Sequence, residues 1–345
     1  MVMRPFLFFS YWQYVIKMHL AVIVLMASIL GLLFSEIFHR RIIPRLISRN
    51  YLSEDVHKPD KPRIPEPVGP AVSLAFIVST IVLAPLVKDP ILLMGIAASS
   101  GISSMIGLLD DISPLGAKSK PLLLTLPAFV MMATGGLIPR PILPILGRAR
   151  LYYVYWPLLM AMYTVFSNSV NMMDALNGML PLSVFGATIP LIPVILMTGR
   201  DEALISLVLL LSVMFPYYLR NKYPARVFGG DSNSLFIGAT LAGISASSNT
   251  EAFFSISLLP FIVSGFSLIV SVGGLVERRE IAKRPVVVKD GMIRANPDRA
   301  APMSMIAILT SSKPKREPEI VMEVALISLF SGILSCLTFF LLTPR

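Results

Sequence analysis

Between Ile91 and Leu109 the chain runs for 19 residues without a charge, then closes the run with two adjacent aspartates, Asp110 and Asp111. Coiled as an α-helix, a stretch of that length crosses the hydrocarbon core of a bilayer. In lipid the backbone N–H and C=O groups must be satisfied inside the segment, so repeated runs of this kind dictate a bundle of spanning helices. Comparable runs recur near 14–38, 69–87, 121–138, 151–168, 179–197, 203–219, 234–248, 252–275 and 320–342. The expected fold is therefore an all-α polytopic membrane protein of about ten transmembrane helices in a single domain over 1–345. The segment 234–248 is short for a span and is expected to tilt or extend into its loops. The composition, 55% hydrophobic and 14% charged, excludes a soluble domain of this length. The first apolar segment is too long for a cleavable leader and lacks a small-residue cleavage site.

The charges orient the bundle. Of 30 lysines and arginines, 22 fall in the segments between the first two spans, after Asp111, from Arg220 to Arg226, and from Arg278 to Arg316. The positive-inside bias makes that face cytoplasmic, with both termini on the outer or lumenal side. In a prokaryote the membrane would be the plasma membrane, in a eukaryote the endoplasmic reticulum. The net charge of +10 follows from these loops and suits anionic lipid headgroups or a phosphate-bearing substrate. No soluble module carries the basic residues, so nucleic acid is not an expected partner.

The polar residues gather on the same face. They comprise Arg63-Ile-Pro-Glu66, Asp110-Asp111 through Lys120, Asn168-Ser-Val-Asn171-Met-Met-Asp174-Ala-Leu-Asn177-Gly178, and Asn221 through Gly229-Gly230-Asp231. Four aspartates and three asparagines make an oxygen-rich set with no accompanying histidine or cysteine cluster, and the single Cys336 excludes a disulfide within one chain. Hard oxygen donors suit Mg²⁺ or Mn²⁺, and Mg²⁺ is commonly held by one or two carboxylates plus substrate phosphates. Lys120 and Arg226 would offset further phosphate charge, and Gly229-Gly230 would let a ligand approach the backbone. The composite fits phosphoryl transfer. Each residue also has a plainer reading: a solvated helix end for the aspartate pair, a cap for Asn171, a topology charge for Lys120, a packing anchor for Phe228, a turn for Glu66.

Three stretches, Gly107-Leu-Leu-Asp110-Asp111, Asn168 through Gly178, and Asn221-Lys-Tyr-Pro-Ala-Arg-Val-Phe-Gly-Gly-Asp231, resemble signatures of the polyprenyl-phosphate N-acetylhexosamine-1-phosphate transferases. The Tyr-Pro-Ala-Arg-Val-Phe run and Arg63-Ile-Pro-Glu66 look most like the eukaryotic and archaeal dolichyl-phosphate N-acetylglucosaminephosphotransferase branch. The resemblance implies a UDP-N-acetylhexosamine donor, a polyprenyl or dolichyl phosphate acceptor, and release of UMP, as in the first membrane step of glycan assembly such as N-glycosylation. It implies Asn171 and Asp231 as Mg²⁺ ligands, Asp110 and Asp111 on the acceptor phosphate, and Lys120 on phosphate. Phe228 would stack on uracil, and Glu66 and Asn177 would lie beside the nucleotide or sugar.

Two departures matter. Asp174 agrees with the bacterial pattern, and its role is either a supporting carboxylate or a donor contact. The last cytoplasmic loop, 276–319, would recognise the sugar but lacks an Arg-His-Arg-Ile-Pro-Arg type run; it offers Arg278, Arg279, Lys283 and Arg284, with Arg284 as the donor contact. Val286-Val-Val288-Lys-Asp290-Gly291-Met-Ile293 predicts a short β-hairpin with an Asp-Gly turn. The alternative within the superfamily is the phospho-N-acetylmuramoyl-pentapeptide branch of cell-wall synthesis, favoured by Asp174 and disfavoured by the Tyr-Pro-Ala-Arg-Val-Phe run. A transporter of anionic solutes would carry charges deep in its spans and tends to show internal repeats, and neither is seen. The sequence allows a homodimer but contains no motif for one.

Overall fold

The computed structural model describes residues 5–58, 60–276, 281 and 283–344, with side chains from Met18 onward. Arg278 and Arg279 lie outside the described residues. The chain opens with α1 (Pro5–Ser48), a short antiparallel pair β1 (Leu52–Glu54) and β2 (Arg63–Pro65), then α2 (Gly69–Leu83) and α3 (Pro90–Ile112). Next come α4 (Ser119–Leu123), α5 (Leu126–Ala133), a small hairpin of β3 (Ile142–Leu143) and β4 (Gly147–Arg148), and α6 (Tyr155–Met173). They are followed by α7 (Met179–Thr188), α8 (Ile192–Thr198), α9 (Asp201–Asn221), α10 (Asp231–Ser248), α11 (Glu251–Ser257) and α12 (Leu259–Ser271). The hairpin of β5 (Val286–Lys289) and β6 (Met292–Ala295), then α13 (Met305–Leu309) and α14 (Glu317–Leu342), complete the described structure.

Helix is found at all ten expected positions, but length and apolarity single out fewer spans. Among the described residues six helical segments are long and apolar enough to cross a membrane, or seven if the pair α11 and α12, bent by 68°, counts as one. The segment expected at 121–138 is broken into α4 and α5. The C-terminal part of α6 carries Ser167, Asn168, Ser169 and Asn171, and α10 is rich in Ser and Gly, which lowers their hydropathy.

The reason is visible in the packing. α10 lies at the centre of the bundle against α3, α6, α9 and α2, with every residue from Ser232 to Ser248 buried. It faces protein on all sides, so close approach rather than apolarity sets its composition. Gly238 shows this: a Cβ there would stand 2.5 Å from Ser167 Cα and 2.7 Å from the Phe166 carbonyl oxygen on α6. One apolar core runs through the bundle from Ile23 on α1 to Val324 on α14.

The expected β-hairpin in the last loop is present. Asp290 and Gly291 both have positive φ, 53° and 73°, as a tight two-residue turn between twisted strands requires. A backbone bridge between Ile293 and Lys315 ties this hairpin to the approach of α14.

Candidate active site

The end of α3 and the start of α10 meet on one face of the bundle. They can do so because Gly107 has no side chain: a Cβ would stand 2.4 Å from the Asp231 carbonyl oxygen. This crossing brings residues 120 positions apart in sequence into one cluster.

Lys120, at the start of α4, is its hub. Its ammonium donates to Asp110 Oδ2 at 2.9 Å and also to Asp231 Oδ2. Burial alone would drive Lys120 to release its proton, but the charge of Asp231 and the hydrogen bonds to both carboxylates outweigh it and hold the ammonium above its ordinary pKa. Asn171, near the end of α6, donates to Asp231 Oδ2 at 3.1 Å. Four of the expected residues, Asp110, Lys120, Asn171 and Asp231, thus converge.

Asp111 sits beside them with a different task. Its Oδ1 accepts from the Asp231 N–H at 2.7 Å and its Oδ2 from the Ser232 N–H at 3.0 Å. Both oxygens satisfy N–H groups at the first turn of α10, which its own N-cap residue, Gly230, has no side chain to cap. Asp111 therefore sets the place of Asp231. Gly230 is needed for the same contact. Its φ is +72°, and a Cβ would stand 2.7 Å from Asp111 Oδ2 and 2.6 Å from Pro67 Cβ. The space expected for ligand approach at this glycine is filled by protein.

Glu66 and Phe228 are joined through main chain. Phe228 N donates to Pro65 O at 2.9 Å, Val68 N to Phe228 O at 3.0 Å, and Gly69 N to Gly229 O at 2.9 Å. The Arg63–Gly69 segment therefore runs alongside the loop that delivers Asp231, with half-buried Glu66 and Phe228 at its rim. Asp174 caps the end of α6, its N–H donating to Asn171 O at 3.1 Å.

Asn177 belongs to a separate cluster. Its side chain donates to Asp55 Oδ2 at 2.9 Å and its backbone N–H to Glu317 Oε1 at 2.7 Å. Asp55 is also paired with Lys58. Burial would raise the Asp55 carboxyl, but the hydrogen bonds from Lys58 and Asn177 hold it below its usual value. Sequence reasoning missed Asp55, Lys58 and Glu317, whose one signal was the i, i+3 spacing of Asp55 and Lys58. Arg284 is exposed just before the hairpin, with its carbonyl accepting from Asn296 Nδ2 at 2.9 Å. None of its described contacts reaches the Lys120 cluster.

The donor set fits a divalent cation. Asp231 offers a carboxylate and Asn171, whose amide N–H now donates to it, would offer an amide oxygen once its side chain turned over, the one or two protein ligands with which Mg²⁺ is held when substrate phosphates complete its shell. Among the described residues no group of three or more His, Cys, Asp or Glu forms an all-protein metal cage.

Residues 93–249 match the model of glycosyl transferase family 4, a stretch that holds both halves of the Lys120 cluster. A protein of Methanocaldococcus jannaschii named as a glycosyltransferase is 26% identical over 90% of this chain and 95% of its own length. One of Saccharolobus solfataricus, named as a UDP-N-acetylglucosamine–dolichyl-phosphate N-acetylglucosaminephosphotransferase, is 25% identical over 70% of this chain and 76% of its own. One of Bacillus subtilis, named as an undecaprenyl-phosphate N-acetylglucosaminyl 1-phosphate transferase, is 27% identical over 68% and 67%.

Proposed function

Since residues 93–249 match glycosyl transferase family 4 and the chain is an integral membrane protein, we propose that it transfers N-acetylglucosamine-1-phosphate from UDP-N-acetylglucosamine to a polyprenyl or dolichyl phosphate. The observation that carries this reading is the Lys120 ammonium set between Asp110 and Asp231, with Asn171 alongside, at the end of a membrane-sized helix. A phosphate-binding cation and hard oxygen donors meet where a lipid phosphate and a soluble nucleotide can both reach.

In the reaction an acceptor phosphate oxygen attacks the donor phosphorus that carries the sugar. The bond from that phosphorus to the bridging oxygen of UMP breaks, UMP leaves with the oxygen, and a lipid-linked sugar pyrophosphate remains. Asp231 and Asn171 would hold Mg²⁺, or Mn²⁺ in its place, and the ion would supply positive charge against the pyrophosphate. Lys120 binds phosphate and stabilises charge in the transition state. Asp110 orients Lys120 and faces the acceptor, and Asp111 fixes the start of α10. Phe228 stacks on the uracil, with Glu66 on the same rim. Asp174 supports the turn after Asn171, and Arg284 brings the last loop to the sugar. The site faces the cytoplasm with both termini opposite, a reading supported by the 22 basic residues on its face.

Purified protein supplied with Mg²⁺, UDP-N-acetylglucosamine and a long-chain polyprenyl phosphate should release UMP. Parallel reactions with other UDP-hexosamines, UDP-N-acetylmuramoyl-pentapeptide included, identify the sugar. No UMP from any of these donors would refute the transferase reading.

A further inference from the structure

The Asp55 cluster lies apart from the reacting groups, yet it grips three of the segments that carry them. Asp55, Asn177, Asn221 and Glu317 are 3%, 4%, 2% and 5% exposed, too buried to be ordinary surface polarity. They come from four separated parts of the chain: the segment before β2, the turn after α6, the end of α9 and the first residue of α14. A carboxylate only accepts, so the bond from Asn177 to Asp55 fixes which way the Asn177 amide faces. The next residue, Gly178, donates its N–H to Asn221 Oδ1 at 3.0 Å, and Asn221 Nδ2 donates to Val227 O at 2.9 Å. Val227 immediately precedes Phe228-Gly229-Gly230-Asp231. Lys58 closes the far end, paired with Asp55 and lying 5.0 Å from the centre of the Tyr223 ring.

We propose that Asp55 and Asn221 are positioning residues for the donor. The chain of bonds Lys58–Asp55–Asn177–Gly178–Asn221–Val227 sets the Phe228–Asp231 loop against the turn after Asn171. It leaves the acceptor side, made by the end of α3 and Lys120, to be held by its own contacts. Glu317 joins the exit of the last cytoplasmic loop to the same network, so the segments that would meet the nucleotide and sugar move as one body. The inference rests on the transferase reading for its kinetic meaning and on geometry alone for the mechanical coupling.

The test uses the full-length protein with Asp55→Asn, Asn221→Ser as a second break in the same chain should the first variant not fold, and Lys88→Gln, exposed and outside this chain of bonds, as the control. UMP release is followed against each substrate in turn, and amide hydrogen exchange is read by mass spectrometry. Losing a charge-assisted bond in this chain should raise the KM for the UDP-sugar on the order of tenfold, with the KM for polyprenyl phosphate unchanged. Exchange should quicken in residues 174–178 and 221–231 but not in 107–112, and Lys88→Gln should stay near the parent on every measure. Equal changes in both KM values, or unchanged exchange at 221–231, would overturn the proposal. A parent protein that releases no UMP would count against the transferase reading, and the exchange arm would still decide the coupling.

Discussion

The two carboxylates of Asp110 and Asp111 are adjacent in sequence and divided in labour. Asp110 meets the Lys120 ammonium, whereas Asp111 uses both oxygens on the first N–H groups of α10. Asp111→Ala should therefore lower stability by about 1–2 kcal/mol as well as reduce turnover. Asp231→Ala should abolish UMP release while the protein stays folded. Thermal unfolding in detergent alongside UMP assays separates the two; an unshifted midpoint in Asp111→Ala would reject the capping role, and full turnover in Asp231→Ala would reject its metal role. Gly230→Ala combines a φ of +72° with a Cβ pressed against Asp111, so turnover should fall on the order of tenfold or more. Unchanged activity would mean that the Asp111–Asp231 contact is not needed in the form seen. Lys120, Asn171 and Asp231 could be picked from sequence because charge and amide groups beside apolar runs are conspicuous. Asp55 could not, since an Asp and a Lys three apart in a basic loop look like solvated surface until burial is known.

Three of the elements that build the site, α4, α6 and α10, fall outside the six long apolar helices, whereas α3 is one of them. α10 is composed for contact with other helices, and Gly238 records where its backbone meets that of α6. Gly238→Leu should force α10 from α6 and cost about 1–3 kcal/mol or more, measured as a fall in the unfolding midpoint. A neutral result would show that the α6–α10 contact can yield. The span expected at 121–138 is broken into α4 and α5, and Lys120 reaches Asp231 from the first turn of α4. Periodicity and hydropathy located these helices but could not foretell the breaks, because local apolarity is the same on either side of a bend. The Asp290-Gly291 hairpin was legible, since its turn chemistry is local.

For the whole molecule, the asymmetry of charge gives a direct test of orientation. Cysteines placed singly at the exposed positions Lys289→Cys and Arg148→Cys, in a Cys336→Ala background, should react with an impermeant maleimide from opposite sides of sealed vesicles. Labelling of both from the same side would refute the assigned topology. By itself the sequence determined that the chain lives in a membrane as helices, that its basic residues gather in a few loops, and that oxygen-bearing and basic side chains sit beside the apolar runs. Those properties follow from segment length, composition and short spacings, all local along the chain. Tertiary structure alone decided how many helices are apolar enough to face lipid, that Asp111 caps a helix, that Gly230 makes room for protein, and that Asn177 answers to Asp55 and Glu317. Each of these is a contact between groups far apart in sequence, 120 to 140 residues for the hydrogen bonds, or a matter of which faces are covered. The energy of a buried hydrogen bond depends on its partner, and only the folded bundle supplies one.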